Sequence, residues 1–108
     1  MLVNTIFPIE ADLAVNTFRN LSVPTRKHIS VERISILLQH KYNYFSGLTY
    51  TQKCKVTTDR IVEVVQKRLQ RAGIYLTKSL IRLVLQAEEQ FYVNQFAEIE
   101  DENFDLAA

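Results

Sequence analysis

The sequence of 108 residues contains one cysteine, two glycines, two prolines and no tryptophan. The single cysteine, Cys54, excludes an internal disulfide and favours a reducing compartment. Two glycines are too few for a glycine-rich phosphate loop. No apolar run approaches the roughly 18–20 residues of a membrane span, and the first residues lack the basic stretch of a signal peptide. We therefore expect a cytoplasmic protein, or one inside a virus particle, with no membrane partner.

Catalytic and metal-binding patterns are also missing. His28, His40 and Cys54 are separated by 12 and 14 residues and match no compact metal-ligand spacing. Glu88 and Glu89 are adjacent on a predicted helix and point apart, which argues against a paired-carboxylate site. We expect a non-catalytic protein with no metal ion, no cofactor and no small-molecule substrate.

Hydrophobic residues make up 47% of the chain and charged residues 23%, which is typical of one ordinary globular domain. Helical spacing of apolar residues, together with capping residues, predicts a mainly α fold, a small bundle of about four helices. The predicted helices span about 9–20, Ser30 to Gly47, Thr57 or Thr58 to Gly73, and Thr77 to about Phe96. We expect a single helical domain over 1–97, followed by an acidic tail over 98–108.

Two connecting segments have other patterns. Residues 22–28 contain Pro24 and are predicted to form a loop. Residues 48–56 alternate between apolar and polar types, which is typical of a half-buried strand with Lys53 and Lys55 facing water. The candidate partner for a short β-hairpin is 2–7, and a crossing loop over 48–56 is the alternative.

Charge is distributed unevenly along the chain. All thirteen basic residues lie between Arg19 and Arg82, where Glu32, Asp59 and Glu63 oppose them, so this part carries a net charge of +10. From Leu83 onward there are seven acidic residues and no basic ones. Such asymmetry suggests an anionic partner for the basic part and a separate interaction role for the tail.

The helix predicted from Thr57 to Gly73 concentrates positive charge on one face. Arg60, Lys67 and Arg71 lie within about 40° of one another on the helical wheel, opposite the apolar stripe. Each of the three could neutralise a phosphate, the sequence-independent part of nucleic-acid affinity. A solvated helix face that complements the helix dipole is the alternative. The full set of predicted nucleic-acid-binding residues adds neighbouring cations: Lys53, Lys55, Arg68, Lys78 and Arg82.

A turn of sequence RAGIYLTKSL joins the last two predicted helices: a small residue, glycine and a hydrophobic residue precede a Thr-Lys cap and a long apolar helix. In this respect residues 56–96 resemble the helical N-terminal half of the HU and integration host factor family of bacterial histone-like proteins. The resemblance implies a helix-turn-helix hairpin over 57–96 that builds a dimer body. In that family a β-sheet with DNA-embracing arms follows, whereas here only the acidic tail follows. The resemblance therefore implies dimerisation more than DNA bending.

The last predicted helix is apolar over more than half of its circumference, which indicates a central helix or one shared with a second subunit. The predicted oligomer interface comprises Leu80, Val84, Leu85, Phe91, Tyr92 and Phe96. Among the aromatic residues, Tyr44 is the predicted exposed ring. The leading hypothesis is a nucleic-acid-associated protein that oligomerises through this helix. The alternative is a structural or adaptor subunit of a larger assembly, such as a virus particle, or a small protein inhibitor.

Overall fold

The computed structural model describes the backbone of residues 11–107 and the side-chain surroundings of residues 12–95. Six α-helices and no β-strand occupy this part of the chain. In chain order they are α1 (Ala11–Asn20), α2 (Val23–Arg26), α3 (Val31–Ser46), α4 (Tyr50–Lys55), α5 (Thr58–Arg71) and α6 (Lys78–Ala107). The prediction of a mainly α fold is confirmed, although the predicted count of about four helices is too low.

The prediction of a strand over 48–56 is wrong. Residues 50–55 form α4, which begins with a capping box: the Thr49 side chain accepts a hydrogen bond from the Gln52 amide, and the Gln52 side chain accepts one from the Thr49 amide. This reciprocal pair satisfies two amides that a short helix would otherwise leave unbonded. The proposed partner strand, 2–7, lies outside the described residues.

The predicted loop over 22–28 contains the short helix α2. Ser22 serves as its N-cap, since its hydroxyl accepts a hydrogen bond from the Thr25 amide, and Pro24 lies in the first turn. Proline is tolerated there because the first amides of a helix have no intrahelical acceptor. Pro24 is therefore compatible with this helix, and the prediction of a loop is wrong for Val23–Arg26.

The capping residues predicted for the longer helices do cap them. Ser30 accepts a hydrogen bond from the Arg33 amide at the start of α3, and Thr57 accepts one from the Arg60 amide at the start of α5. Thr77 accepts one from the Leu80 amide at the start of α6. The predicted end of this last helix near Phe96 is wrong, because the helical backbone continues to Ala107 through most of the acidic segment.

One hydrophobic core holds the helices together. α6 packs against α1 and α5, and α3 packs against the same two helices. Among the described residues, the fully buried apolar side chains come from the predicted apolar stripes of three helices: Ile34, Leu37, Leu38, Val62, Val65, Leu69, Ile81 and Val84. Burying a side chain of this kind stabilises the fold by roughly 1.5–3 kcal/mol, so α5 is firmly held by one face while its opposite face stays free.

A buried polar cluster joins α3 to α6. Glu88 is only 2% exposed, and its two carboxylate oxygens accept hydrogen bonds from the Lys41 ammonium and the Tyr42 hydroxyl. The Tyr92 hydroxyl lies 2.7 Å from that of Tyr42 and donates to it, since the Tyr42 proton is committed to Glu88. Burial, followed by the hydrogen bond to Glu88, raises the pKa of Tyr42 well above its usual range. The cluster fixes how α3 and α6 are placed against each other.

Candidate nucleic-acid interface

The exposed face of α5 carries the three cations predicted to contact phosphates. Val62, Val65 and Leu69 bury the opposite face completely, so Arg60, Lys67 and Arg71 are directed to solvent, and all three are exposed. The span from Arg60 to Arg71 corresponds to about 16 Å of helix at 1.5 Å per residue. The anchored apolar face makes α5 a rigid support for these side chains.

Glu63 lies at the centre of this face. Its Oε1 is 3.1 Å from Nη1 of Arg60 and 3.3 Å from Nζ of Lys67. The hydrogen bond from Lys67, with the charges of Lys67, Arg60 and then Lys78, lowers the pKa of Glu63. Lys78, at the start of α6, therefore adds to the positive charge around the same carboxylate. Arg60 and Lys67 are thus paired with one carboxylate, and Lys78 of α6 adds a weaker electrostatic attraction to it.

Arg82 extends the positive region along α6. Its guanidinium forms an ion pair with Asp59, with Nη2 of Arg82 2.5 Å from Oδ1 of Asp59. This pair joins the first turn of α5 to α6. Because Asp59 is largely exposed, the pair leaves Arg82 at the surface.

Arg68 lies to one side of the exposed face of α5, where Tyr44 and His40 of α3 are its neighbours. Its guanidinium carbon lies 5.6 Å from the ring centroid of Tyr44, within cation–π range. His40 lies on the same side, where burial and then the charge of Arg68 lower its pKa. Tyr44 is only half-buried, but Arg68 covers a face of its ring, which counts against the prediction that it is a free stacking surface.

Six of the eight cations predicted to bind nucleic acid lie on α5 and in the first two turns of α6. We call these six the basic surface: Arg60, Lys67, Arg68, Arg71, Lys78 and Arg82. Asp59 and Glu63 oppose them, which leaves a net charge of +4. Lys53 and Lys55 are exposed in the last turn of α4, a different helix.

Two features of this surface were not anticipated from the sequence. Glu63 was counted only as an opposing charge, although its spacing of three residues from Arg60 and four from Lys67 is the spacing at which helical side chains meet. Tyr75 was not singled out, although it lies between Arg71 and Lys78 in the chain, and its side chain is exposed.

Several side chains of the predicted oligomer interface are engaged within the domain. Val84 is fully buried and Leu85 is buried, because both lie in the hydrophobic core of the domain. Neither side chain can therefore contact a second copy in this fold. Leu80 and Phe91 pack against the core and are partly buried, whereas Tyr92 is exposed at the edge of the Glu88 cluster. The Phe96 side chain lies outside the described residues. Among the α6 side chains that the structure describes, the exposed large aliphatic ones are Leu83 and Val93.

Within the described part of the chain, no three histidine, cysteine, aspartate or glutamate side chains are grouped so that they could hold a metal ion. No helix in the same part has the length and apolar character needed to cross a membrane.

Comparisons with protein-family models, curated proteins and solved structures found no significant match. The resemblance of residues 56–96 to the bacterial histone-like family therefore stays a prediction from the sequence.

Proposed function

We propose that this protein is a non-catalytic nucleic-acid-associated protein that contacts phosphates through the basic surface. The observation that carries the proposal is the placement of Arg60, Lys67 and Arg71 on one exposed face of α5, whose opposite face is fixed in the core. Phosphate neutralisation by such side chains supplies affinity that depends little on base sequence. The hairpin of α5, its following turn and α6 is the unit that presents these cations.

The ion pairs on this surface are compatible with phosphate binding. Arg60, Lys67 and Glu63 have exposed side chains, and exposed pairs of this kind contribute little because water screens both charges. A phosphate can therefore replace Glu63 as the partner of Arg60 or Lys67 at small cost. Arg71 needs no such exchange with Glu63, because no ion pair between them is formed among the described residues.

The test removes the three exposed cations of α5 together. We expect R60A/K67A/R71A to weaken binding to every duplex by a similar factor. The slope of log affinity against log salt should flatten by about 2.7, at about 0.9 per phosphate contact. The matched control is R19A/K27A/R33A, which also removes three exposed cations but from outside α5.

The control separates local contacts from the overall charge. If the basic surface makes the contacts, the control variant should keep a slope close to that of the unchanged protein. Equal slopes for the unchanged protein and R60A/K67A/R71A would mean that this face of α5 is only a solvated surface, and the proposal would fail.

A second candidate function is that of a structural or adaptor subunit of a larger protein assembly. The exposed aliphatic side chains of α6 favour it, since Leu83 is 43% exposed and Val93 is 53% exposed. Self-association through α6 would bury such groups. Sedimentation at micromolar concentrations tests this: L83S/V93S should shift an oligomer towards the monomer. A protein that is monomeric over the whole range before substitution would remove the homo-oligomer and leave a different protein as the only partner.

A further inference from the structure

The turn between α5 and α6 displays an aromatic ring next to the basic surface. Tyr75 is 76% exposed, whereas Leu76 is buried and Ile74 packs against the core. Because the domain holds the side chains on both sides of it, the Tyr75 side chain is directed outward. An aromatic ring exposed to this extent gains nothing from packing within its own domain.

Hydrogen bonds fix the start of this turn. Gly73 has φ of +81°, in the left-handed region that favours glycine. Its amide donates to the Gln70 carbonyl at 3.0 Å, and the Ile74 amide donates to the Leu69 carbonyl at 2.9 Å. These two bonds form the Schellman motif that ends a helix and determines the direction in which the chain leaves it.

A second contact fixes the backbone that follows Tyr75. The Gln66 side-chain amide donates to the Leu76 carbonyl at 3.1 Å, which ties the turn back to α5. The backbone on both sides of Tyr75 is therefore held, and only the side-chain torsions remain free. A ring presented in this way loses little conformational entropy when a ligand covers it.

Tyr75 also lies between two cations of the basic surface. Arg71 precedes it by four residues and Lys78 follows it by three. At no more than about 3.6 Å per residue, both Cα atoms lie within roughly 15 Å of that of Tyr75. A ring flanked by cations is the combination used for single strands, in which bases stack on aromatic side chains while cations follow the phosphates.

We infer that the ligand of the basic surface is a single-stranded nucleic acid, with one base stacked on Tyr75 and neighbouring phosphates on Arg71 and Lys78. This inference rests on the proposed function. In a duplex the bases are stacked on each other, so the Tyr75 ring adds nothing to duplex affinity. DNA and RNA bases both have the π-face that stacking needs, and the 2′-hydroxyl is what distinguishes the two at a given site.

The experiment compares three probes at one low salt concentration: a 20-mer of deoxyuridine, a 20-mer of uridine and a 20-base-pair duplex. Fluorescence anisotropy gives the affinity of the unchanged protein, Tyr75→Ala and Tyr75→Phe. We expect Tyr75→Ala to weaken binding to the single strands by about 5- to 150-fold and to leave duplex affinity within about twofold. Tyr75→Phe keeps the ring and should bind like the unchanged protein. Val23→Ala removes exposed apolar surface from α2 and is the matched control.

The outcomes separate this inference from the function on which it rests. Single-strand binding by Tyr75→Ala equal to that of the unchanged protein overturns the inference, while the salt dependence of R60A/K67A/R71A still tests phosphate binding independently. An equal loss on the duplex, or an equal loss with Tyr75→Phe, also overturns it, because neither follows from base stacking. Failure of the unchanged protein to bind any probe overturns both. Under the inference, the stronger of the two single-stranded probes identifies DNA or RNA as the ligand.

Discussion

Replacing Lys41 with methionine tests the buried cluster that joins α3 to α6. Lys41→Met keeps an unbranched side chain of similar length, so packing is largely retained while the positive charge is lost. Glu88, 2% exposed, would then retain only the Tyr42 hydroxyl as a hydrogen-bond donor within the cluster. A buried carboxylate without a compensating charge is expensive because the interior solvates it poorly.

The structure sets the expected size of the effect. Removing one partner of a buried ion pair costs about 3–5 kcal/mol. The Lys41 side chain is 18% exposed, so water reaches this pair and we expect a cost near the lower limit, about 3 kcal/mol. Replacing both partners, as K41M/E88M, removes the uncompensated charge and should recover stability to within about 1 kcal/mol of the unchanged protein.

Urea unfolding measures both quantities. With a slope of about 2 kcal/mol per molar urea, typical for small proteins, Lys41→Met should lower the unfolding midpoint by about 1.5 M. Lys53→Met is the matched control, because Lys53 is exposed on α4, and it should change stability by no more than about 0.5 kcal/mol. A loss below about 1 kcal/mol for Lys41→Met, or a double variant no more stable than Lys41→Met, would refute the reasoning.

Three further predictions concern titration and charge. The raised pKa of Tyr42 means that the unfolded chain loses this proton first. The contribution of Tyr42 to the free energy of unfolding should therefore be constant below about pH 10 and fall above it, by up to about 1.4 kcal/mol per pH unit. Tyr42→Phe should show a shallower fall in this alkaline range, and an identical slope would contradict this. Glu63→Gln frees Arg60 and Lys67, so affinity for nucleic acid in low salt should rise roughly two- to tenfold, and an unchanged affinity would count against phosphate binding there. Deleting 98–108 removes five carboxylates, which we expect to compete with nucleic acid for the basic surface. The deletion should therefore raise affinity for nucleic acid in low salt, and the gain should disappear in high salt because salt screens the charges. A gain that persists in high salt would exclude this competition.

Local signals in the sequence predict most of the helical architecture. Ser30, Thr57 and Thr77 are good N-caps followed by apolar residues at helical spacing, and they begin the helices as expected. Gly73 after α5 adopts the left-handed conformation that is common at the end of a helix, whereas Gly47 after α3 does not, since its φ is −87°. α3 ends at Gly47 without a left-handed residue. A glycine after a helix therefore does not by itself determine the backbone conformation with which the helix ends.

The errors arise where two local signals compete. Residues 48–56 alternate as a strand does, but alternation predicts a strand only when one face is buried, and here residues 50–55 are all exposed. The capping box of Thr49 and Gln52 was the better guide, because it satisfies backbone amides without help from tertiary packing. At residues 22–28, Pro24 favours a loop whereas Ser22 is a good N-cap, and the structure has the capped helix α2 there.

Only those contacts of the candidate interface that lie within one helix could be predicted from the sequence. Helical geometry places Arg60, Lys67 and Arg71 on one face, and it also places Glu63 between the first two. Contacts between separate helices cannot be obtained in this way, because nothing local connects residues such as Lys41 and Glu88, which are 47 positions apart. The exposure of Tyr75 likewise depends on how Ile74 and Leu76 are anchored by the folded domain.

The most direct test of the central claim is an NMR titration of the isotopically labelled protein with a thymidine 20-mer in low salt. If the basic surface binds nucleic acid, chemical-shift changes should cluster on the exposed face of α5, in the turn of 72–77 and at the start of α6, and they should diminish as salt is added. Changes confined to the side of α6 around Leu83 and Val93, or no changes at all, would contradict the claim.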